Sequence, residues 1–326
     1  MTSVLLLGGT GWLGGRIAAS WLASGASVTC LARGGRPAPD GARLIVADRD
    51  ASDAYDAVRE GEWDEVVDVS SSAEQVRAAA AALAGSARHL TYVSSVSVYA
   101  DSATRGADEG AEVVAPARAG DPPDYAREKS AAEAAVRAAV PRRAAVVRPG
   151  LIVGPGDPTD RFGYWVSRFA MAGDGPVLIP DARDAPVQVI DVDDLAAFIV
   201  GLGRDAVART VNAVGEVVPF GEMIAAARDA AGHTGGLVAV APDELLALGV
   251  GHWAGPRSLP LWLPADMPGF ATRSHTEFLR CGGRLRPLRD TLDATLADER
   301  RRGLDRPRRA GLTRAEELEV LTGRHP

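Results

Sequence analysis

Directly after an apolar run at positions 4–7, the chain reads Gly8-Gly9-Thr10-Gly11-Trp12-Leu13-Gly14 and continues in a helical pattern to position 23. A glycine-spaced turn between a buried strand and a helix restricts the fold sharply. Glycines allow the tight turn, and they let the main chain approach a pyrophosphate at the helix N-terminus, where amides lack partners. The rest of the first half repeats the same grammar. Short β-branched or Leu-rich runs at 27–31, 44–47, 66–69 and 89–94 alternate with an Ala-rich helical stretch at 73–84. A further helix at 124–139 precedes a strand at 144–148, which Pro149-Gly150 ends. Strands and helices in alternation require right-handed crossovers and a parallel sheet covered on both faces. The expected fold class is therefore α/β, a Rossmann-type doubly wound parallel sheet.

From Leu151 the alternation gives way to Gly/Pro-punctuated segments, with helices expected near 162–170, 220–231 and 243–248. A strand at 187–190, a helix at 191–201 and a strand at 210–213 read as a return to the first sheet. The expected organisation is a dinucleotide-binding domain of residues 1–150 and 187–214. A smaller, interleaved α/β substrate lobe would comprise 151–186 and 215–326, with C-terminal helices. The Arg- and acid-rich tail from Arg284 reads as a solvated helix face.

Composition narrows the partners. A net charge of −7 provides no global positive field for nucleic acid or anionic lipid. Cys30 and Cys281 form no metal-ligand spacing, so no metal site is expected and a reducing, cytoplasmic compartment is. Neither a signal peptide nor a membrane span is expected, because the first apolar run is broken by glycine after four residues. The expected partner is a small-molecule substrate, with a homodimer compatible with the sequence.

The second strand ends Ala32-Arg33-Gly34-Gly35-Arg36, where an NAD-binding fold usually places a carboxylate on the ribose. Two cations and no acid favour the 2′-phosphate of NADP, with NAD as the alternative. Asp48, just past the third strand, is placed either at an adenine edge or as a helix N-cap.

Tyr125-Ala126-Arg127-Glu128-Lys129 puts Tyr and Lys one turn apart on one helix face. Lys129 is the sole lysine among 36 basic residues, in a chain that otherwise uses arginine. Keeping a compact ammonium there indicates a task Arg cannot perform, such as approaching ring and ribose hydroxyls together. A neighbouring ammonium and an oxidised nicotinamide both favour phenolate, so Tyr125 is the candidate acid/base. In Ser94-Ser95-Val96-Ser97-Val98-Tyr99, at the end of the fifth strand, Ser95 is the candidate for hydrogen-bonding the reacting oxygen.

Taken together, GGTGWLG, VSSVSVYA, Tyr125/Lys129, RPGLIVGPGD and VIDVDDLA resemble the extended short-chain dehydrogenase/reductase superfamily, over about residues 1–300. The resemblance implies a catalytic triad of Ser95, Tyr125 and Lys129. It implies cofactor contacts from the glycine turn (Gly8, Thr10, Gly11, Trp12, Leu13, Gly14), with Arg148-Pro149-Gly150 beside the nicotinamide and substrate in the lobe after Leu151. Two departures stand out. The Arg that clamps a diphosphate in nucleotide-sugar members is replaced by Ala185-Pro186-Val187-Gln188. The segment usually containing Asn-x-Ala reads Asp68-Val69-Ser70-Ser71, so its cofactor contact is rebuilt, with Ser70 the candidate, or absent. Asp157, Arg161, Tyr164 and Trp165 crowd one segment as substrate candidates, and Trp253 and Trp262 are candidates for a pocket wall. The expected function is NADP-dependent reduction of a carbonyl or imine of a small metabolite. A nucleotide-sugar epimerase/dehydratase, and a cofactor-sensing or RNA-binding protein without catalysis, are the rivals.

Overall fold

A computed structural model describes residues 1–118 and 120–323. The first part of the chain runs β1 (Ser3–Leu7), α1 (Trp12–Ala23), β2 (Ser27–Ala32), β3 (Arg43–Val46), β4 (Trp63–Asp68), α2 (Ala73–Leu83), β5 (Ala87–Val93), α3 (Tyr125–Ala139) and β6 (Ala144–Pro149). It continues with β7 (Leu151–Val153), α4 (Arg161–Ala172), β8 (Val177–Pro180), β9 (Pro186–Asp191), α5 (Val192–Arg204), β10 (Thr210–Ala213), β11 (Val217–Pro219) and α6 (Phe220–Ala231). The last elements are β12 (Leu237–Val240), α7 (Pro242–Ala247), β13 (Gly251–Trp253), β14 (Ser258–Pro260), α8 (Thr276–Arg280), α9 (Leu288–Arg302) and α10 (Arg314–Thr322).

Seven parallel strands form the main sheet in the order β10-β6-β5-β4-β1-β2-β3. The reason is visible in β1, where consecutive residues feed opposite faces. Val4 and Leu6 pack with Ile17, Trp21 and Ile199 beneath α1 and α5, while Leu5 and Leu7 pack with Val76, Leu83 and Val136 beneath α2 and α3. A strand buried on both sides must be apolar at every position, and such strands occur in parallel sheets covered by crossover helices. Strand order reverses at β1, with β2 and β3 to one side and β4 onward to the other. Ligands of open α/β sheets bind at the carboxyl ends of the strands beside this reversal, and the glycine turn lies there.

The second lobe has its own core, built from Phe162, Trp165, Phe169, Phe220, Met223, Leu292 and Leu296. One element behaves differently from the strand–helix–strand reading. Strand β9 does not rejoin the main sheet; it pairs in parallel with β7 and antiparallel with β11. Only its successors return, α5 packing beside α1 and β10 extending the sheet edge next to β6. The residues of β9 explain this double allegiance, since Val187 belongs to the second core and Ile190 to the first.

The Arg-rich tail is not a merely solvated face. Glu299 and Asp160 are buried, and Arg306 and Arg308 bind Glu299 at 3.1 and 2.7 Å, while Arg306 also pairs with Asp160. Buried carboxylates need such partners, so the tail is tied to the start of α4. Among the described residues no helix is long and apolar enough to cross a membrane.

Candidate active site

The glycine turn separates into positions with different demands. Gly8 has φ +92°, a left-handed conformation that glycine adopts without cost. A Cβ on Gly14 would meet Gly8 O at 2.3 Å, so this glycine is required by helix–turn packing. A Cβ on Gly11 would meet only Gly8 O, at an ordinary 3.4 Å. The protein's own atoms do not demand glycine there; close approach of a ligand would. Helix α1 also has no side-chain cap and no acidic residue in its first turn, leaving its positive end open to an anion. Gly14→Ala should therefore lower stability by about 1–3 kcal/mol through overpacking, more than the helix propensity it gains. Gly11→Ala should leave the urea midpoint nearly unchanged and weaken binding of the nicotinamide dinucleotide at least about tenfold, because only the ligand's approach is blocked. Paired unfolding curves and cofactor titrations of the two variants check this contrast.

Beyond the turn, a cavity of about 730 Å³ is lined by Gly8, Thr10, Gly11, Arg33, Arg36, Asp48 and Ser70 together with Arg49 and Gln75. Arg33 and Arg36 follow the end of β2 directly and are exposed toward this cavity. Asp48 caps no helix, since residues 51–60 form turns; its carboxylate accepts the Asp50 N–H at 3.2 Å. The Ser70 hydroxyl bonds Gln75 at 2.8 Å. Arg49 is the residue that sequence reading passed over. Its guanidinium grips Asp68 with two bonds of 2.8 and 2.6 Å and donates to the Tyr55 hydroxyl at 2.9 Å. It forms the floor of the cavity, and no local spacing connects residues 49 and 68.

A second cavity of about 430 Å³ adjoins the first at Val69. It gathers Trp12, Leu13, Ser95, Tyr125, Lys129, Pro149, Gly150 and Arg161, with Trp253 and Phe270 as aromatic walls. Tyr125 opens α3 after Asp124, whose carboxylate caps the helix through the Arg127 N–H. It is 52% exposed at the cleft. Ser95 is buried, and its oxygen accepts the Ser97 N–H at 3.1 Å, which fixes the hydroxyl beside Tyr125. Lys129 is 3% exposed and donates to Ser70 O at 2.9 Å and Val93 O at 2.7 Å. An ammonium carries three donors, so one is left for a ligand.

The electrostatics differ from the expected pattern. Desolvation holds the Tyr125 phenol above its ordinary value, opposed by the Ser95 hydrogen bond and the Arg161 charge. Lys129 Nζ lies 5.9 Å from the Tyr125 ring centroid, with two of its N–H groups on main-chain carbonyls. Burial brings Lys129 itself down to about 8, against the pull of Asp68 and Glu133. Since an unfolded lysine titrates near 10.4, the unfolded chain binds more protons between about pH 8 and 10.4, and this group's contribution to stability rises with pH across that window. Lys129→Met should abolish the rise. The stability of wild type relative to the variant should increase by about 2 kcal/mol between roughly pH 7 and 9.5, measured by urea unfolding of both proteins.

The other candidates are distributed unevenly. Tyr164 and Trp165 point away from the cleft into the second core; Trp165 donates to Pro260 O at 2.9 Å and meets Tyr164 edge-on. Their helix presents Arg161 to the cleft and its next turn to the lobe interior. Asp157 is buried and turned toward Thr159, accepting both its N–H and its hydroxyl. Of Arg148-Pro149-Gly150, only Pro149 and Gly150 line the cleft. Arg148 lies behind it, gripping buried Glu133 at 2.8 and 2.7 Å, and Glu133 also accepts the Ser94 hydroxyl at 2.6 Å. Trp253 lines the cleft, whereas Trp262 does not.

A family profile described as NAD dependent epimerase/dehydratase family matches residues 4–213, more than half of the chain. Among solved structures, that of a Burkholderia cenocepacia protein is 22% identical, with 92% of this chain and 98% of that one covered at a TM-score of 0.71. A UDP-N-acetylglucosamine 4-epimerase from Bacillus cereus is 13% identical, with 91% and 99% covered at a TM-score of 0.67. A Thermus thermophilus UDP-glucose 4-epimerase, solved as its NAD complex, is 18% identical, with 92% and 99% covered at a TM-score of 0.60. At these identities the likeness shows the fold. Among curated proteins, a ceramide reductase of Caulobacter vibrioides is 42% identical over 89 residues, which are 27% of this chain and only 26% of that relative's length.

Proposed function

Because the chain belongs to the NAD dependent epimerase/dehydratase family, we propose that it is an NADP-dependent oxidoreductase reducing a carbonyl or imine of a small metabolite. The observation that carries this reading is a single cleft with two guanidiniums, Arg33 and Arg36, at one end and Ser95, Tyr125 and Lys129 at the other. Gly8, Thr10, Gly11 and Ser70 would hold the cofactor between them, with Trp12, Leu13, Pro149 and Gly150 around its reactive end. When bound, that cofactor supplies the reducing equivalent as hydride.

The chain's own residues handle the proton. A phenol held above its ordinary value keeps its hydrogen at neutral pH, which suits a donor to an oxygen or nitrogen gaining negative charge. Ser95, fixed by the Ser97 amide, would donate its hydroxyl to the same atom. Lys129, anchored by Ser70 O and Val93 O, would offer its third N–H to a ribose hydroxyl. Glu133 and Arg148 support the floor on which Ser94 and Ser95 sit.

A second reading, nucleotide-sugar epimerisation with NAD, is favoured by the UDP-sugar enzymes among the similar folds. Against it, Gln188, near where a diphosphate clamp would stand, has its amide committed to Gly215 O and Arg273 O, both at 2.8 Å. Arg183 is exposed and lines neither cavity of the cleft. A panel of carbonyl and imine metabolites followed by NADPH absorbance tests the proposal. Substrate-dependent, stoichiometric loss of NADPH is the expected result; conversion of UDP-sugars without net cofactor change would replace it with the second reading.

A further inference from the structure

The catalytic cavity holds two cations, Lys129 and Arg161, and no described Asp or Glu among its lining residues. Lys129 is committed to two carbonyls. Arg161 is not committed in the same way. Its Nε donates to the Thr159 hydroxyl at 3.2 Å, and its guanidinium lies 4.8 Å over the Trp253 ring, but no described carboxylate forms an ion pair with it. Arg49, Arg148 and Arg168 each hold a carboxylate, whereas buried Arg273 holds none among the described residues and instead donates to Asp101 O and lies over the Tyr99 ring. The nearby Asp157 is occupied by Thr159. Asp157 acts on Arg161 without forming an ion pair with it, and burial pulls the Arg161 pKa below its ordinary value against that carboxylate's attraction.

Trp253 supplies an independent observation. It is a bulky residue at φ +65°, where side chains strain the backbone, and it stands edge-on to Phe270 at 5.5 Å in the cleft wall. Such strain concentrates where the surroundings enforce a position for a ligand. The enforced position places an indole face under Arg161.

We propose that Arg161 binds an anionic oxyacid group of the substrate, a carboxylate or a phosphate, while Trp253 and Phe270 pack the body that joins this group to the carbonyl or imine facing Tyr125. The terminal nitrogens of Arg161 are free to make the charge-assisted pair that the protein itself does not provide. This assignment rests on the reductive reading for the position of the reacting group.

The test reads binding, not turnover, in the full chain with and without NADP. Benzoate and phenyl phosphate are the anionic probes and benzamide the neutral control, followed by tryptophan fluorescence and calorimetry. At least one anion should bind about tenfold or more tightly than benzamide, as expected for charge-assisted hydrogen bonds. Preference for benzoate assigns a carboxylate, and preference for phenyl phosphate a phosphate. Arg161→Met should abolish the preference with NADPH affinity unchanged, Arg161→Lys should keep part of it, and Trp253→Leu should weaken both anions. Equal binding of benzamide and both anions, or a preference that survives in Arg161→Met, overturns the proposal. Failure to bind or oxidise NADPH while the Arg161-dependent preference persists supports the anion site and counts against the reductive reading alone.

Discussion

Tyr125→Phe should lower kcat by about 10²-fold or more while NADPH affinity stays within about twofold of wild type, because general-acid catalysis contributes on that scale and ring packing is unaltered. The substitution deletes one hydroxyl at a half-exposed position on the first turn of α3, so the fold has little to lose. The alternative donors are poor. Lys129 has two of its N–H groups bound to carbonyls, and the Ser95 hydroxyl donates to Ser97 Oγ at 3.1 Å. Stopped-flow turnover and fluorescence titration separate the two effects. A variant retaining more than about a tenth of wild-type kcat would remove Tyr125 from the role of acid.

Arg33→Asp should reverse the cofactor preference. A bidentate guanidinium–phosphate pair is worth about 1.5–3 kcal/mol, so removing it should weaken NADPH roughly 10- to 100-fold. The new carboxylate repels a 2′-phosphate and accepts hydrogen bonds from a ribose diol, so NADH should bind more tightly than to wild type. Arg36, the second cation of the same cavity, should leave a residual preference for phosphate in Arg33→Ala that disappears only in Arg33→Asp. Calorimetric titration of the three proteins with both cofactors decides the matter; equal wild-type affinities for NADPH and NADH would refute the assignment.

The parts of this cleft that local chemistry dictates were legible in the sequence. The glycine turn follows a strand and opens a helix, and Tyr125 and Lys129 share a face at a spacing that any α-helix enforces. The parallel, doubly covered character of the sheet follows from buried apolar runs such as β1. What escaped depends on partners distant in the chain. Arg49 finds Asp68 across two strands, and Arg148 finds Glu133 on a helix, so neither pairing leaves a mark in local spacing. Residues 161–165 show the same limit within one helix: Arg161 meets the cleft while Tyr164 and Trp165 enter the core, and only the packing of α4 on its neighbours decides which turn faces where. Strand β9 was drawn away from the main sheet by Val187, whose partners lie in the second lobe. The tail acid Glu299 is buried under Arg306 and Arg308, which follow the end of α9, while Asp298 accepts the Gly156 N–H and pairs with Arg302 one turn along its own helix.

The reductive account is tested most directly by isotope transfer, using NADPH deuterated at the transferring position and the substrate identified by the carbonyl and imine panel. The prediction is one deuterium fixed in each product molecule for each NADP formed, since a reductase consumes its cofactor. Product that accumulates without NADP and without net uptake of deuterium would contradict it, because a chain that oxidises and re-reduces one substrate leaves its cofactor pool unchanged.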